Sequence, residues 1–220
     1  MRKNCSFIIK CQLCFTSLFG VLLSLIRAKE HGYFPWWTRL LYFTAQSNLW
    51  IGITTFIILC LPLFKTGEKV RARLYTLRFV FTVSIMLTGV IYCALLAPFA
   101  DESYHVWSPS GLLTHVFTPL LALADFFVDK ESGRIENKHL FYATAAPALY
   151  ILIASGLCIA NVDFGRGVAY PYFFMNYRSS VGLFGVGGTP PFFLGSAYWI
   201  VLFGGVSVLL AWVLKKMKRT

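Results

Sequence analysis

The feature that most constrains this chain is a succession of six apolar blocks, each about as long as a membrane is thick. An α-helix needs ~20 predominantly apolar residues to cross the hydrocarbon core of a bilayer. The blocks lie at about 7–26, 41–64, 77–99, 111–128, 139–160 and 194–214. Together they use nearly the whole chain. We therefore predict one integral membrane domain, residues 1–220, folded as an all-α bundle of six transmembrane helices.

The basic residues are distributed unevenly between the two ends of the predicted helices. Of the 20 Lys and Arg residues, 15 fall on the side that both termini share, and five fall on the other side. The 15 are Arg2, Lys3, Lys10, Lys65, Lys69, Arg71, Arg73, Arg78, Lys130, Arg134, Lys138, Lys215, Lys216, Lys218 and Arg219. Because Lys and Arg are retained on the cytoplasmic side, we predict cytoplasmic termini and a location in the cell membrane.

The net charge of +11 also raises the question of nucleic acid, because a basic patch is the usual footprint of a phosphate binder. Here the basic residues sit in short connections at alternate ends of the spans, which is how membrane orientation is set. We therefore expect no nucleic-acid partner.

The cysteines and histidines do not have the spacing of a metal or redox centre. Cys11 and Cys14 have the spacing of a redox pair, but that motif is informative only beside a βαβ pattern. Inside apolar blocks a free thiol behaves as a small hydrophobe. No two histidines stand four residues apart, as they do on a zinc-binding helix. We expect no metal and no cofactor.

Polar side chains inside the second and fourth blocks carry most of the functional information. Polar groups in hydrocarbon are costly and usually face a cavity or a partner helix. Thr44, Ser47 and Asn48 stand at i, i+3 and i+4, so they share one helical face. His115 stands near the start of the fourth block. Both blocks are predicted to enter the membrane from the outer side.

Thr44 and His115 are predicted to lie at the same depth. At 1.5 Å per residue, Thr44 is ~5 Å and His115 ~6 Å below the outer surface. A hydroxyl is a weak nucleophile that needs a neighbouring base, and neutral His is the usual base near neutral pH. The depth match therefore predicts a catalytic pair. The alternatives are a hydroxyl that bonds to its own helix and an imidazole that bonds to a neighbouring helix.

Other polar side chains are candidates to support such a pair. Gln46, Ser47 or Asn48 could hold the imidazole or donate a hydrogen bond to an oxyanion. Tyr92, ~10 Å from the outer end of the third block, is a further candidate.

Asp125 is too deep to belong to this group. It lies ~15 Å below His115 and ~80° away from it around the helix, so it cannot orient the imidazole. We predict instead that it is a structural group near the cytoplasmic side, paired with a base such as Arg78.

Two outer connections are rich in aromatic residues, at 33–37 and 170–174. Tyr and Trp concentrate at the level of the lipid headgroups, so one interpretation is an ordinary aromatic belt. The other is a floor or lid over a lipid-facing site. The length of segment 161–193 favours the second, because structureless loops of that length are uncommon and often functional.

Four motifs resemble those of a known family, in the right order between residues 42 and 178. Residues 43–48 read Phe-Thr-Ala-Gln-Ser-Asn and resemble the Phe-Thr-x-Gln-Ser-Asn signature of the bacterial six-span "Pr-six-Pr" membrane proteins. The segment from His115 to Asp125 resembles the family's His-x-x-x-Pro…Asp segment. Residues 147–150 are similar to its Pro-Leu-x-Tyr, and residues 170–173 to its Tyr-Pro-Tyr-Pro-Phe.

That family is in turn distantly similar to the eukaryotic androgen-induced and androgen-dependent TFPI-regulating membrane proteins. Those are six-span hydrolases of fatty-acid esters of hydroxy fatty acids, and they use a membrane-embedded Thr and His. The resemblance implies that Thr44 is the nucleophile and His115 the base, with a membrane lipid or fatty-acid ester as substrate.

The sequence therefore predicts a membrane-embedded lipid hydrolase, and two alternatives stay open. A small transporter or permease is the first, because Pro119 and Pro147 could mark broken helices that form a binding site. The second is a non-catalytic scaffold whose polar residues only hold helices together. The sequence does not indicate an oligomeric state.

Overall fold

The computed structural model describes residues 2–32, 35–98, 106–129, 135–165, 167–177 and 192–219. Its α-helices are α1 Arg2–Glu30, α2 Phe43–Cys60, α3 Glu68–Ile91, α4 Pro109–Leu112, α5 Thr118–Val128, α6 Asn137–Ile159 and α7 Phe192–Arg219. Two π-helical turns, Tyr92–Leu96 and Leu113–Phe117, extend α3 and join α4 to α5. Short 3₁₀ turns lie at Trp36–Leu41, Leu61–Leu63 and Phe173–Met175. Within these described ranges the structure has no β-strand.

In the part of the chain that the structure describes, six helices are long and apolar enough to cross a membrane, which confirms the predicted all-α architecture of an integral membrane protein. They are Asn4–Glu30, Phe43–Leu63, Glu68–Leu96, Pro109–Val128, Asn137–Ile159 and Gly195–Lys218. The helices in the first and third blocks begin earlier than predicted, at Arg2 and Glu68. The length of an apolar run reflects the thickness of the hydrocarbon core, whereas the helix itself can continue into the charged residues that flank the run. The helix therefore begins before the apolar run does.

The third helix lies at the centre of the bundle. It contacts α2, α5, α6 and α7, while α1 packs against α2 and α5, and α6 packs against α7. The buried faces carry many small hydroxyl side chains, such as Ser17, Thr82 and Ser207. Large apolar side chains such as Phe56 and Val201 are exposed on the outside of the bundle. Small residues inside and large apolar residues outside are typical of helices that pack in lipid.

A buried cluster of four charged residues joins α1, α3 and the end of α5; we call it the charged quartet. It consists of Lys10, Arg78, Asp125 and Asp129. Lys10 Nζ lies 2.9 Å from an oxygen of each aspartate, and Arg78 Nη2 lies 2.7 Å from Asp125 Oδ2. Arg78 also pairs with Asp129. The predicted pairing of Asp125 with Arg78 is confirmed, and Lys10 and Asp129 complete a set with no net charge.

The described part of the outer segment, residues 161–165 and 167–177, packs over one end of the helices. The Tyr42 hydroxyl donates to the Phe164 carbonyl at 3.3 Å, and Trp199 Nε1 donates to the Phe174 carbonyl at 3.0 Å. The hydroxyls of Ser155 and Tyr177 are 3.1 Å apart. These bonds dock the segment onto α2, α6 and α7. The remainder of the segment predicted as a floor or lid, residues 178–191, lies outside the described residues.

Candidate active site

Thr44 and His115 meet, as their common depth predicted. Thr44 Oγ1 lies 3.2 Å from His115 Nε2, although the two residues are 71 positions apart. Thr44 is the second residue of α2, and His115 lies in the π-helical turn Leu113–Phe117. The imidazole is buried and the threonine is partly buried. The distance is within the reach that a nucleophile and its general base require.

The hydrogen bonds of the imidazole define its tautomer. His115 Nδ1 lies 3.0 Å from the Gly111 carbonyl, which can only accept, so Nδ1 must carry the proton. Thr114 Oγ1 also lies 3.0 Å from Nδ1, and it donates its own proton to the Ser110 carbonyl. Nε2 of the neutral ring is then an acceptor. The Thr44 hydroxyl therefore donates to Nε2, which is the arrangement that a general base needs before reaction.

The position of His115 follows from two residues near it. Pro119 lacks an N–H, and in a regular α-helix its ring would collide with the carbonyl of His115 four residues earlier. The π-helical turn widens the helix at this point, and the Thr118 N–H bonds to the Leu113 carbonyl instead. Gly89 on α3 allows close approach, because a Cβ there would lie only 3.1 Å from the His115 oxygen. A π-helical turn at such a place is frequent at functional sites.

Tyr92 fixes the imidazole from the side. Its ring stacks on that of His115 with centroids 3.8 Å apart and planes 18° apart. Its hydroxyl donates to the Val106 carbonyl. The stack limits rotation of the imidazole, so Tyr92 supports the base by packing.

The three polar neighbours of Thr44 on α2 hydrogen-bond to groups other than the imidazole. Asn48 Nδ2 donates to the Thr44 carbonyl at 2.8 Å and to the Thr114 carbonyl at 3.2 Å, so it joins the two turns that carry the pair. Ser47 Oγ lies 3.2 Å from the Thr44 carbonyl and 2.8 Å from Thr88 Oγ1. Gln46 Nε2 donates to the Leu40 carbonyl at the surface. Ser47 and Asn48 lie on the face of Thr44, as their spacing predicted, and they bond to main-chain carbonyls and, for Ser47, to the Thr88 hydroxyl.

Thr44 also lines an apolar pocket whose lining does not include His115. Its cavity volume is about 30 Å³. Its lining is Phe43, Thr44, Leu87, Thr88, Ile91, Leu96, Pro147, Tyr150, Ile151, Tyr172, Phe174, Met175 and Phe203. None of these lining residues is charged. The predicted nucleophile thus contacts its base and also lines an uncharged cavity.

Two tyrosines in this lining were not among the candidates that the sequence suggested. The Tyr172 hydroxyl accepts a hydrogen bond from the Thr44 N–H at 3.4 Å. Tyr150 packs against Phe43 with ring centroids 5.1 Å apart. Burial raises the pKa of Tyr172, so its phenol stays protonated. Both residues fall in the motifs at 147–150 and 170–173, so the resemblance could have pointed to them, but periodicity within one helix could not.

Within the described ranges, no group of three or more His, Cys, Asp or Glu side chains is arranged to hold a metal ion. Comparisons with protein-family models, with curated proteins and with solved structures give no match. The functional interpretation therefore depends on the geometry of this site.

Proposed function

We propose that the protein is a membrane-embedded hydrolase of fatty-acyl esters, with Thr44 as nucleophile and His115 as general base. The observation that supports this most is the contact of Thr44 Oγ1 with the unprotonated Nε2 at the wall of an uncharged pocket. An ester lipid could place its acyl chain among the apolar side chains and its carbonyl beside Thr44. We further propose that both termini face the cytoplasm and that the pocket lies in the outer leaflet of the cell membrane.

The reaction would begin with transfer of the Thr44 proton to His115. As Oγ1 bonds to the acyl carbon, its proton passes to Nε2, and the carbonyl oxygen takes the negative charge of the tetrahedral intermediate. When the bond to the alcohol oxygen breaks, the imidazolium returns the proton to the leaving alcohol. The products of this half-reaction are the free alcohol and an acyl ester of Thr44.

The second half-reaction would repeat these steps with water. The neutral imidazole takes a proton from water as the water oxygen bonds to the acyl carbon. Collapse of the intermediate breaks the bond to Thr44 Oγ1, which recovers its proton from Nε2. The fatty acid is released, and the enzyme returns to its starting state.

The hydrogen bonds of Nδ1 bear directly on this cycle. In a Ser-His-Asp triad a carboxylate holds the ring in the correct tautomer and stabilises the imidazolium. Here the Gly111 carbonyl and Thr114 Oγ1 occupy that position. They fix the tautomer, but as neutral groups they stabilise the imidazolium less than a carboxylate does. We therefore expect slower turnover than that of a triad enzyme.

The proposal is tested by covalent labelling of the purified full-length protein with an alkyl fluorophosphonate, together with hydrolysis of a fatty-acyl ester. Wild type should label and hydrolyse, whereas Thr44→Ala and His115→Ala should do neither to a measurable degree. Thr82→Ala is the matched control, because Thr82 is a threonine inside the bundle whose hydroxyl donates to the Arg78 carbonyl of its own helix. Equal labelling of wild type and Thr44→Ala would show that Thr44 is not the nucleophile.

The same variants separate the hydrolase from its alternatives. If the protein is a scaffold, wild type should neither label nor hydrolyse, and Thr44→Ala and His115→Ala should lower its thermal stability. A transporter predicts substrate flux into proteoliposomes that Thr44→Ala leaves unchanged. Either result would replace the proposed function.

A further inference from the structure

Three hydroxyl groups from distant parts of the chain converge at the start of α2. Thr44 belongs to α2 itself, Tyr150 to the middle of α6, and Tyr172 to the outer segment. All three line the same pocket. Tyr150 is 7% exposed, and its hydroxyl makes no hydrogen bond of ordinary geometry within the described residues, although it lies near the Tyr172 hydroxyl and the Phe43 main chain. A buried polar group without a well-formed hydrogen bond is costly, so the Tyr150 hydroxyl is available to donate to a group that enters the pocket.

The main chain adds positive potential at the same point. The first N–H groups of a helix have no partner within the helix, and they give its N-terminus a partial positive charge. α2 begins at Phe43 and has no side-chain cap. The Thr44 N–H points to the Tyr172 oxygen, and the main chain of Phe43 lies close to both phenols. The two hydroxyls are therefore held where negative charge is stabilised.

We infer that Tyr172 and Tyr150 donate the hydrogen bonds that stabilise the oxyanion when Thr44 attacks an acyl carbonyl. This inference rests on the proposed function and adds two catalytic residues to it. The Tyr172 hydroxyl accepts a hydrogen bond from the Thr44 N–H. Accepting this bond polarises the hydroxyl, so the bond that it donates to an oxyanion becomes stronger. Tyr150, whose ring centroid lies 6.4 Å from that of Tyr172, supplies the second donor from the same pocket. Neither residue contributes to deprotonating Thr44, which is the task of His115.

The arrangement also restricts the substrate class. The two tyrosine hydroxyls are neutral donors, which suit an acyl carbonyl oxygen because that oxygen becomes negative only during the reaction. A phosphate ester would bring a permanent charge into a pocket whose lining holds no Lys, Arg or His, and burying an unpaired charge is strongly unfavourable. The site therefore fits carboxylic esters with an uncharged acyl chain and excludes phosphodiesters.

The test compares Tyr172→Phe and Tyr150→Phe with wild type in steady-state hydrolysis of a neutral acyl ester, and measures thermal unfolding of each protein. Loss of one oxyanion donor typically lowers kcat ~10²–10³-fold. We expect a kcat loss of about 10²-fold for each variant and little change in KM. Tyr150→Phe removes an unpartnered buried hydroxyl, so its melting temperature should be equal to or higher than that of wild type. Tyr170→Phe is the control, because Tyr170 lies in the same outer segment but not in the pocket lining.

The outcomes distinguish this inference from the proposed function. An inactive wild type that the fluorophosphonate does not label removes the hydrolase proposal itself. An active wild type whose two Phe variants keep kcat within twofold refutes the oxyanion role and leaves Thr44 and His115 in place. The inference is also overturned if Tyr170→Phe loses as much kcat as the two pocket variants do. It is likewise overturned if Tyr150→Phe has a lower melting temperature than wild type, because altered packing would then explain the loss of kcat.

Discussion

Replacing Lys10 with Met should strongly destabilise the fold, because it removes half of the positive charge from the charged quartet. Lys10 Nζ lies 2.9 Å from Asp125 and 2.9 Å from Asp129, and its side chain is 8% exposed. Met preserves most of the length and apolar surface of the lysine stem. Without the ammonium, the remaining three members of the quartet carry a net charge of −1 in a buried site. Lys218, whose Nζ donates to the Asp129 carbonyl at 2.9 Å, is a neighbouring cation that offsets only part of this charge.

The magnitude follows from these distances. Each Lys–Asp contact at 2.9 Å is worth about 6 kcal/mol at an effective dielectric constant of about 20, and the cost of desolvating the charges offsets much of it. Removal of one partner from a buried ion pair typically costs about 3–5 kcal/mol, and we expect Lys10→Met to lie in this range. Adding Asp129→Asn restores neutrality and leaves Arg78 paired with Asp125. The double variant should therefore be more stable than the sum of the single effects by at least about 1 kcal/mol.

The assay is reversible unfolding of the full chain in mixed micelles of detergent and dodecyl sulfate, followed by circular dichroism. Lys138→Met is the matched control, because Lys138 pairs with Glu136 at 2.8 Å while both side chains are more than half exposed. An exposed pair contributes little, so this variant should unfold as wild type does. If Lys10→Met behaves like Lys138→Met, or if the effects of Lys10→Met and Asp129→Asn simply add, the quartet does not act as a coupled buried unit.

Three further predictions concern the site and the orientation of the chain. Asn48→Asp should lower ester hydrolysis at least ~10-fold, or ~1.4 kcal/mol in activation free energy. The new carboxylate would face the two carbonyls to which the Asn48 amide now donates. Equal activity of this variant and wild type in steady-state assays would contradict the prediction. Gly89→Ala should reduce kcat several-fold with unchanged helix content by circular dichroism, since its Cβ would press on the His115 carbonyl. In a chain without native cysteines, an impermeant maleimide should label Lys29→Cys in intact cells and Thr66→Cys only after permeabilisation, and the reverse pattern would invert the proposed topology.

Much of the fold was predictable because the bilayer imposes a length on each apolar block. The six spans and the all-α class follow from block length alone, and the helix ends differ where a helix continues into polar sequence, as at Glu68. The common depth of Thr44 and His115 was also predictable, since each helix has a fixed rise per residue and both enter from one side. Even the pairing of Asp125 with Arg78 followed from depth, because an isolated charge could not stay buried there.

Only the tertiary structure decided how each helix is rotated about its own axis, and therefore which side chains face each neighbouring helix. The sequence gives a residue's height along its own helix, but the rotation of one helix against another depends on packing over the whole bundle. The contact between Thr44 and His115 spans 71 positions, and the contact between Thr44 and Tyr172 spans 128. For this reason the periodicity could place Asn48 and Ser47 on the face of Thr44 but could not predict that they bond to main-chain carbonyls and to Thr88. The same packing brought two unsuspected tyrosines to Thr44, because residues so far apart meet only when every intervening helix has docked.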